Sequence, residues 1–119
     1  MAVEVHVDGV VQRGRFAEFL TAAQGWQRFR QERGWCAPRL LCGLSGTMNT
    51  VRFVFRYDSL ADYEREEQLV ARDVEYARIA SAMPFDGALH FQLFREEPAP
   101  AGTVPSRSSG RRVGSPRGR

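Results

Sequence analysis

Asn49-Thr-Val-Arg-Phe-Val-Phe-Arg-Tyr-Asp-Ser-Leu-Ala-Asp-Tyr-Glu64 changes its period halfway along. Its first half alternates, with Val51, Phe53, Phe55 and Tyr57 on one face and Arg52, Val54 and Arg56 on the other. That two-residue repeat is the pattern of a strand. Ser59 followed by Asp62 three positions on then has the form of a capping box, so the chain should turn from strand to helix within a residue. A strand that buries aromatic rings on one side and presents two arginines on the other builds more than a core.

Working outward, residues 3–7 alternate as a strand, and residues 14–33 repeat apolar side chains (Phe16, Phe19, Leu20, Ala23, Trp26, Phe29) at the three- and four-residue steps of a helix. Gly34 suits the left-handed position after a helix, and Pro38 bars the helix from continuing. A second strand is expected over 39–45, a turn over 46–49 and the third strand over 50–57. The second helix should begin at Leu60 and restart at Asp73, whose carboxylate can cap a new segment. Pro84 and Gly87 end it, and residues 88–95 form a last strand. The order β-α-β-β-α-β is α+β and ferredoxin-like, a four-stranded antiparallel sheet with both helices on one face. The opposite face needs a cover, and a second copy of the chain is the simplest one, so a homodimer is expected.

Charge divides the chain. Residues 1–97 hold 12 arginines against all 14 acids, whereas the 22 residues from Pro98 to Arg119 hold five arginines and no acid. The net +3 therefore belongs to the tail. A folded domain over 1–97 and a disordered tail over 98–119 are expected, because the tail has too little apolar surface to offset its ordering entropy. Lacking aromatic residues for base stacking, that tail supports weak non-specific contact with nucleic acid and nothing specific. No apolar run approaches the length of a membrane span, and no signal peptide is recognisable, so a cytoplasmic location is expected. Every basic residue is arginine, which excludes lysine chemistry. Cys36 and Cys42 would lie roughly 15–20 Å apart on an extended segment, too far to bridge.

The segment Gly34 to Pro38, the Gly43-x-x-Gly46 turn, Asn49-Thr-Val, Tyr57-x-Ser-Leu-x-x-Tyr63 and Asp73-x-Glu-Tyr76 resemble the NIPSNAP-like branch of the dimeric α+β barrel superfamily. The resemblance implies two sheets packed into one barrel around an interior ligand space. Members include cofactor-free monooxygenases and cyclases of aromatic polyketides, isomerases, haem-handling enzymes and proteins with no known reaction. No cofactor is expected for this chain.

Strand parity places Val3, Val5, Val7, Val51, Phe53, Phe55, Leu89, Phe91 and Leu93 toward the helices. The opposite face then carries Glu4, His6, Arg52, Val54, Arg56, His90, Gln92 and Phe94, including both histidines of the chain. In the strand order 4-1-3-2, Glu4 should sit near Arg56. His6 should sit near Arg52 or Val54 on one side and His90 or Gln92 on the other.

The functional reading is an acid–base site. His90 or His6 takes a proton from a phenol or from a carbon between two carbonyls, and Arg52 and Arg56 hold the resulting oxyanion. Glu4, Gln92, Phe94, Val54 and Trp35 would line the substrate. Taken with this face, the resemblance implies cofactor-independent cyclisation or oxygenation of a phenolic or enolisable, polyketide-type molecule. The alternatives are a non-catalytic binding or auxiliary homodimer, and a face closed by its own ion pairs, Glu4–Arg56 among them. A metal held by Glu4, His6 and His90 is disfavoured, because two adjacent arginines would repel a dication. The Glu64–Glu67 run reads as a solvated helix face.

Overall fold

The computed structural model describes residues 1–100 and Gly102; the remainder of the expected tail lies outside the described residues. Its elements are β1 (Val3–Val10), α1 (Phe16–Glu32), β2 (Arg39–Cys42), β3 (Thr50–Tyr57), α2 (Leu60–Arg72), α3 (Val74–Ala80) and β4 (His90–Arg95). The strands form one antiparallel sheet in the order β2-β3-β1-β4, the ferredoxin-like arrangement expected from the sequence. Among the described residues no helix is long and apolar enough to cross a membrane.

The local signals act as their chemistry requires. Ser59 accepts a hydrogen bond from the Asp62 amide at 3.1 Å, while the Asp62 carboxylate turns to Arg65 at 2.9 Å instead of closing the second half of a capping box. Asp73 ends α2 and caps α3 by accepting from the Tyr76 amide at 2.9 Å. Gly34 takes φ 74°, the left-handed turn that stops α1.

β1 runs three residues beyond its expected end, and Asp8-Gly9 lies inside it although that dipeptide favours hairpin turns. Packing explains this. A Cβ on Gly9 would stand 2.6 Å from Leu89 and 2.9 Å from Phe85, so any larger residue there would force those side chains to shift. β2 is shorter than expected because Gly43 already closes the hairpin, its amide donating to the Thr50 carbonyl at 2.9 Å.

One sheet face packs on α1. Val3, Val5, Val7, Val51, Phe53, Phe55 and Tyr57 bury against Phe19, Ala23 and Trp26, with the Trp26 and Phe53 rings 4.8 Å apart edge to face. Burial of this apolar surface is the main stabilising term.

A charge sits inside that packing. Arg30 is 3% exposed and donates to Glu66 at 2.6 Å, to the Cys36 carbonyl at 2.6 Å and to the Tyr76 hydroxyl oxygen at 3.2 Å. Glu66 also accepts from the Tyr57 hydroxyl at 2.5 Å and the Cys36 amide at 2.9 Å. The Glu64–Glu67 run is therefore not simply a solvated face, for Glu66 turns inward to meet Arg30. Replacing Glu66 with alanine leaves a buried cation, a hydroxyl and an amide unpaired. We expect Glu66→Ala to lose about 3–5 kcal/mol of stability and Glu66→Gln to lose less, measured by urea denaturation.

Candidate functional site: two faces of one sheet

The register sets the polar face. Glu4 lies between Arg56 and Phe94, His6 between Val54 and Gln92, and Asp8 between Arg52 and His90. Glu4, His6, Arg52, Val54, Arg56, His90, Gln92 and Phe94 thus share one side of the sheet, joined there by Asp8 and, from β2, by Arg39 and Leu41.

The side-chain pairing differs from the expected one. Glu4 does not reach Arg56; it meets His6, with Oε1 3.0 Å from Nε2. Arg56 turns outward to Glu96 at 3.0 Å and Asp58 at 3.6 Å. Arg52 grips Asp8 with two nitrogens, at 2.5 and 3.0 Å. That hydrogen-bonded guanidinium holds the Asp8 carboxyl below its ordinary range, against the opposing effect of partial burial. Both arginines already carry carboxylates, so either must release a partner before holding an oxyanion. His6 is the better-prepared group: its ring lies 4.7 Å from that of Phe94, and its buried Nδ1 has no hydrogen-bond partner among the described residues. His90 and Gln92 are exposed beside it.

Trp35 is not on this face. Its ring packs 6.1 Å from Phe29 and 5.8 Å from Tyr76, with the Arg30 guanidinium 5.7 Å from its centre, so it supports the helices instead of walling a ligand between sheets. Cys36 and Cys42 are both free. The Cys36 thiol, pushed up by burial above all, donates to the Arg56 carbonyl at 3.4 Å. No group of three potential metal ligands clusters among the described residues.

The other face is less covered than the alternation suggests. Leu89 packs against the core, but Phe91 is 67% and Leu93 50% exposed, because α2 and α3 stand clear of β4. Beneath Phe91 lies a cavity of about 260 Å³ walled by Val7, Trp26, Phe53, Tyr76, Met83 and Phe91. It adjoins a smaller space of about 60 Å³, where Arg30, Tyr57, Tyr63 and Glu67 replace the apolar walls. Tyr76, Phe55 and Phe91 border both. A larger depression of about 520 Å³ lies between Met1, Ala2 and the segment Arg95–Pro98 that follows β4.

Sequence reasoning missed Asp8, Arg30, Glu66 and Tyr76. The signal for Arg30 was present: it continues the buried spacing Phe19, Ala23, Trp26 on α1, where a charge must find a partner.

Fold and site together define a ferredoxin-like α+β protein with an apolar cleft on one side of its sheet and a polar, histidine-bearing face on the other. Its structure neighbours include NIPSNAP family proteins and antibiotic biosynthesis monooxygenases. A NIPSNAP family protein from Agrobacterium tumefaciens is 14% identical, aligns over 94% of this chain and 100% of its own, and has a TM-score of 0.63. An uncharacterized NIPSNAP domain protein from Burkholderia xenovorans is 22% identical over 89% of this chain and 100% of its own, with a TM-score of 0.60. An antibiotic biosynthesis monooxygenase is 10% identical over 81% of this chain and 99% of its own, with a TM-score of 0.64. At these identities the likeness is one of fold. No family model and no curated protein matches the chain.

The Asp8–Arg52 pair gives a signed pH dependence. A carboxyl whose folded-state value is depressed stabilises the fold above its unfolded value, about 3.9, and loses that contribution as pH falls through the folded-state value. Thermal melts should show wild type more stable than Asp8→Asn at pH 6, with the gap closing as the pH is lowered through and below about 3.9.

Proposed function

We propose that the protein is a homodimer, paired through the polar sheet face, that takes up a flat aromatic small molecule in the cleft between sheet and helices. It transforms that molecule, a phenolic or enolisable compound of polyketide type, by oxygenation or cyclisation without a bound cofactor. The observation that carries this reading is the cavity of about 260 Å³ walled by Trp26, Phe53, Tyr76 and Phe91 and opening beside β4. A well-formed apolar hollow with a few convergent polar groups is the usual form of a small-molecule site. The antibiotic biosynthesis monooxygenase of the same fold supports the reaction class.

In the oxygenation, dioxygen is the oxidant. A phenol loses the hydroxyl proton and a ring hydrogen, one oxygen atom enters as the second quinone oxygen, and the other leaves as water. The sheet face supports the dimer in its own way. Phe94 and Leu41 are 43% and 44% exposed there, amid charges of both signs that a second copy can complement. Edge strand β4 is exposed on both its faces, the situation that natural sheets resolve by covering.

A second reading follows from one observation, the carboxylate-oriented His6 with an unpartnered Nδ1. Here the substrate lies between the two sheets, with His6 or His90 as base and Arg52 and Arg56 near the developing oxyanion.

Two measurements test the proposal. Sedimentation should give a dimer for wild type and a folded monomer for Phe94→Asp; a monomeric wild type would remove the sheet-face pairing. Oxygen uptake with 1-naphthol should appear in wild type and fall at least tenfold in Phe91→Glu, which sets a charge at the cleft mouth. Loss in His6→Gln with Phe91→Glu unaffected would move the reaction to the second reading. Binding without uptake or cyclised product would leave the non-catalytic alternative.

A further inference from the structure

Hydrogen-bond accounting within the cleft shows what it is built to hold. The chain has three tyrosines, and all three border the smaller space. Tyr57 gives its proton to Glu66 at 2.5 Å, and this hydrogen bond together with burial pushes its hydroxyl well above the ordinary tyrosine range, burial being the larger cause. Tyr63 directs its proton to Glu67, at a long 3.5 Å. Tyr76 differs. Its oxygen accepts from Arg30 at 3.2 Å, and a guanidinium has no lone pair with which to accept in return. The Tyr76 proton therefore has no acceptor among the described residues, and the ring that carries it borders both spaces.

A second unspent donor stands nearby. Trp26 is 4% exposed, and its buried Nε1–H has no partner among the described residues. Its ring lines the larger cavity, 6.5 Å from that of Tyr76. Buried polar groups in native proteins are nearly always satisfied, so an orphan donor in a cavity wall calls for an explanation. Both unspent groups are donors. An incoming ligand must supply acceptors.

Charge narrows the class further. Arg30 is the cation at the inner end of the cleft, and Glu66 neutralises it at 2.6 Å. Glu67 borders the same space. A carboxylate or phosphate ligand would meet no uncompensated positive charge and would lose its hydration.

We infer that the cleft selects a flat, uncharged aromatic ketone or quinone, with Tyr76 as the donor that recognises its carbonyl oxygen. This rests on the helix-side cleft being the ligand site proposed above. A space of about 260 Å³ falls just below the usual range of drug-sized ligand sites, which limits the occupant to two or three fused rings. Arg30 polarises the Tyr76 hydroxyl from behind, and the low dielectric of the cleft strengthens the bond it donates. Tyr76 thus sets specificity, while the surrounding rings supply affinity.

The test uses three probes that share one tricyclic frame with the chain of 119 residues: 9-fluorenone, fluorene and fluorene-9-carboxylate. Titration calorimetry should show fluorenone binding about tenfold tighter than fluorene, the worth of one good hydrogen bond, and the carboxylate weakest. Tyr76→Phe should abolish the ketone's advantage and leave fluorene unchanged, whereas Tyr57→Phe should preserve it. The carbonyl stretch of fluorenone bound to wild type should fall to the frequency of a hydrogen-bonded ketone, a reading that needs no variant to fold. Equal binding of fluorenone and fluorene, an advantage that survives Tyr76→Phe, or a carbonyl stretch at the free-ketone value would each overturn the donor role while leaving the cleft as a ring-binding site. Failure of all three probes to bind would overturn the cleft reading and the inference with it.

Discussion

Arg30 carries a charge to the centre of the helical layer, and much of the fold's second half is arranged to meet it. The guanidinium reaches Glu66 on α2, the Cys36 carbonyl ahead of β2 and Tyr76 on α3, while Glu66 gathers Tyr57 from β3 and the Cys36 amide. Rings complete the enclosure, with the Arg30 guanidinium 4.9 Å from the centre of Phe55 and 5.5 Å from that of Trp26. A buried pair of this kind contributes little net stability compared with apolar packing, yet it tolerates only one arrangement of its partners. Neither α2 nor α3 has a fully buried residue; they rest on the core through half-buried Tyr63, Tyr76, Ile79 and Ala80, and this network ties them to α1.

That placement produces the cleft. α1 covers β1 and β3 with a stripe of apolar side chains, but α2 and α3, held at Arg30, leave β4 open. Phe91 then borders a space that no helix fills, and Leu93 stands half exposed beyond it. The polar face follows from the same alternation: each residue that buries a valine or phenylalanine toward α1 commits its neighbour to the other side, and the chain places there its histidines and two paired arginines. One sheet thus offers an aromatic hollow on one side and a face of mixed charge on the other.

Strand parity was readable because a two-residue period is unambiguous, so Glu4, His6, Arg52, Arg56, His90 and Gln92 fall on the face their positions imply. Asp8 escaped because the expected strand stopped at residue 7, whereas β1 runs on to Val10 and carries Asp8 onto the polar face. Glu66 escaped because an acidic run looks solvated, although Tyr63, Glu66 and Val70 sit at one helical spacing and face inward together. The cleft itself has no signature in the alternation. Phe91 and Leu93 are apolar at the same parity whether a helix covers them or stands away, and helix placement depends on the Arg30 contacts, which join residues as far apart in the chain as 30 and 76. Trp35 was misplaced for a related reason, since a tryptophan after a helix can pack to either side of a sheet.

The chain has two tryptophans, so its amide spectrum carries two indole N–H resonances, one from the cleft wall and one from outside it. Titrating the isotope-labelled protein with 9-fluorenone, and assigning the peaks with Trp26→Phe, locates the ligand directly. A ligand seated in the cleft should give a large shift of the Trp26 indole resonance, a small one for Trp35 and unmoved His6 and His90 ring signals. Shifts of the two histidines with the Trp26 resonance unchanged would place the ligand on the polar face and contradict the cleft reading.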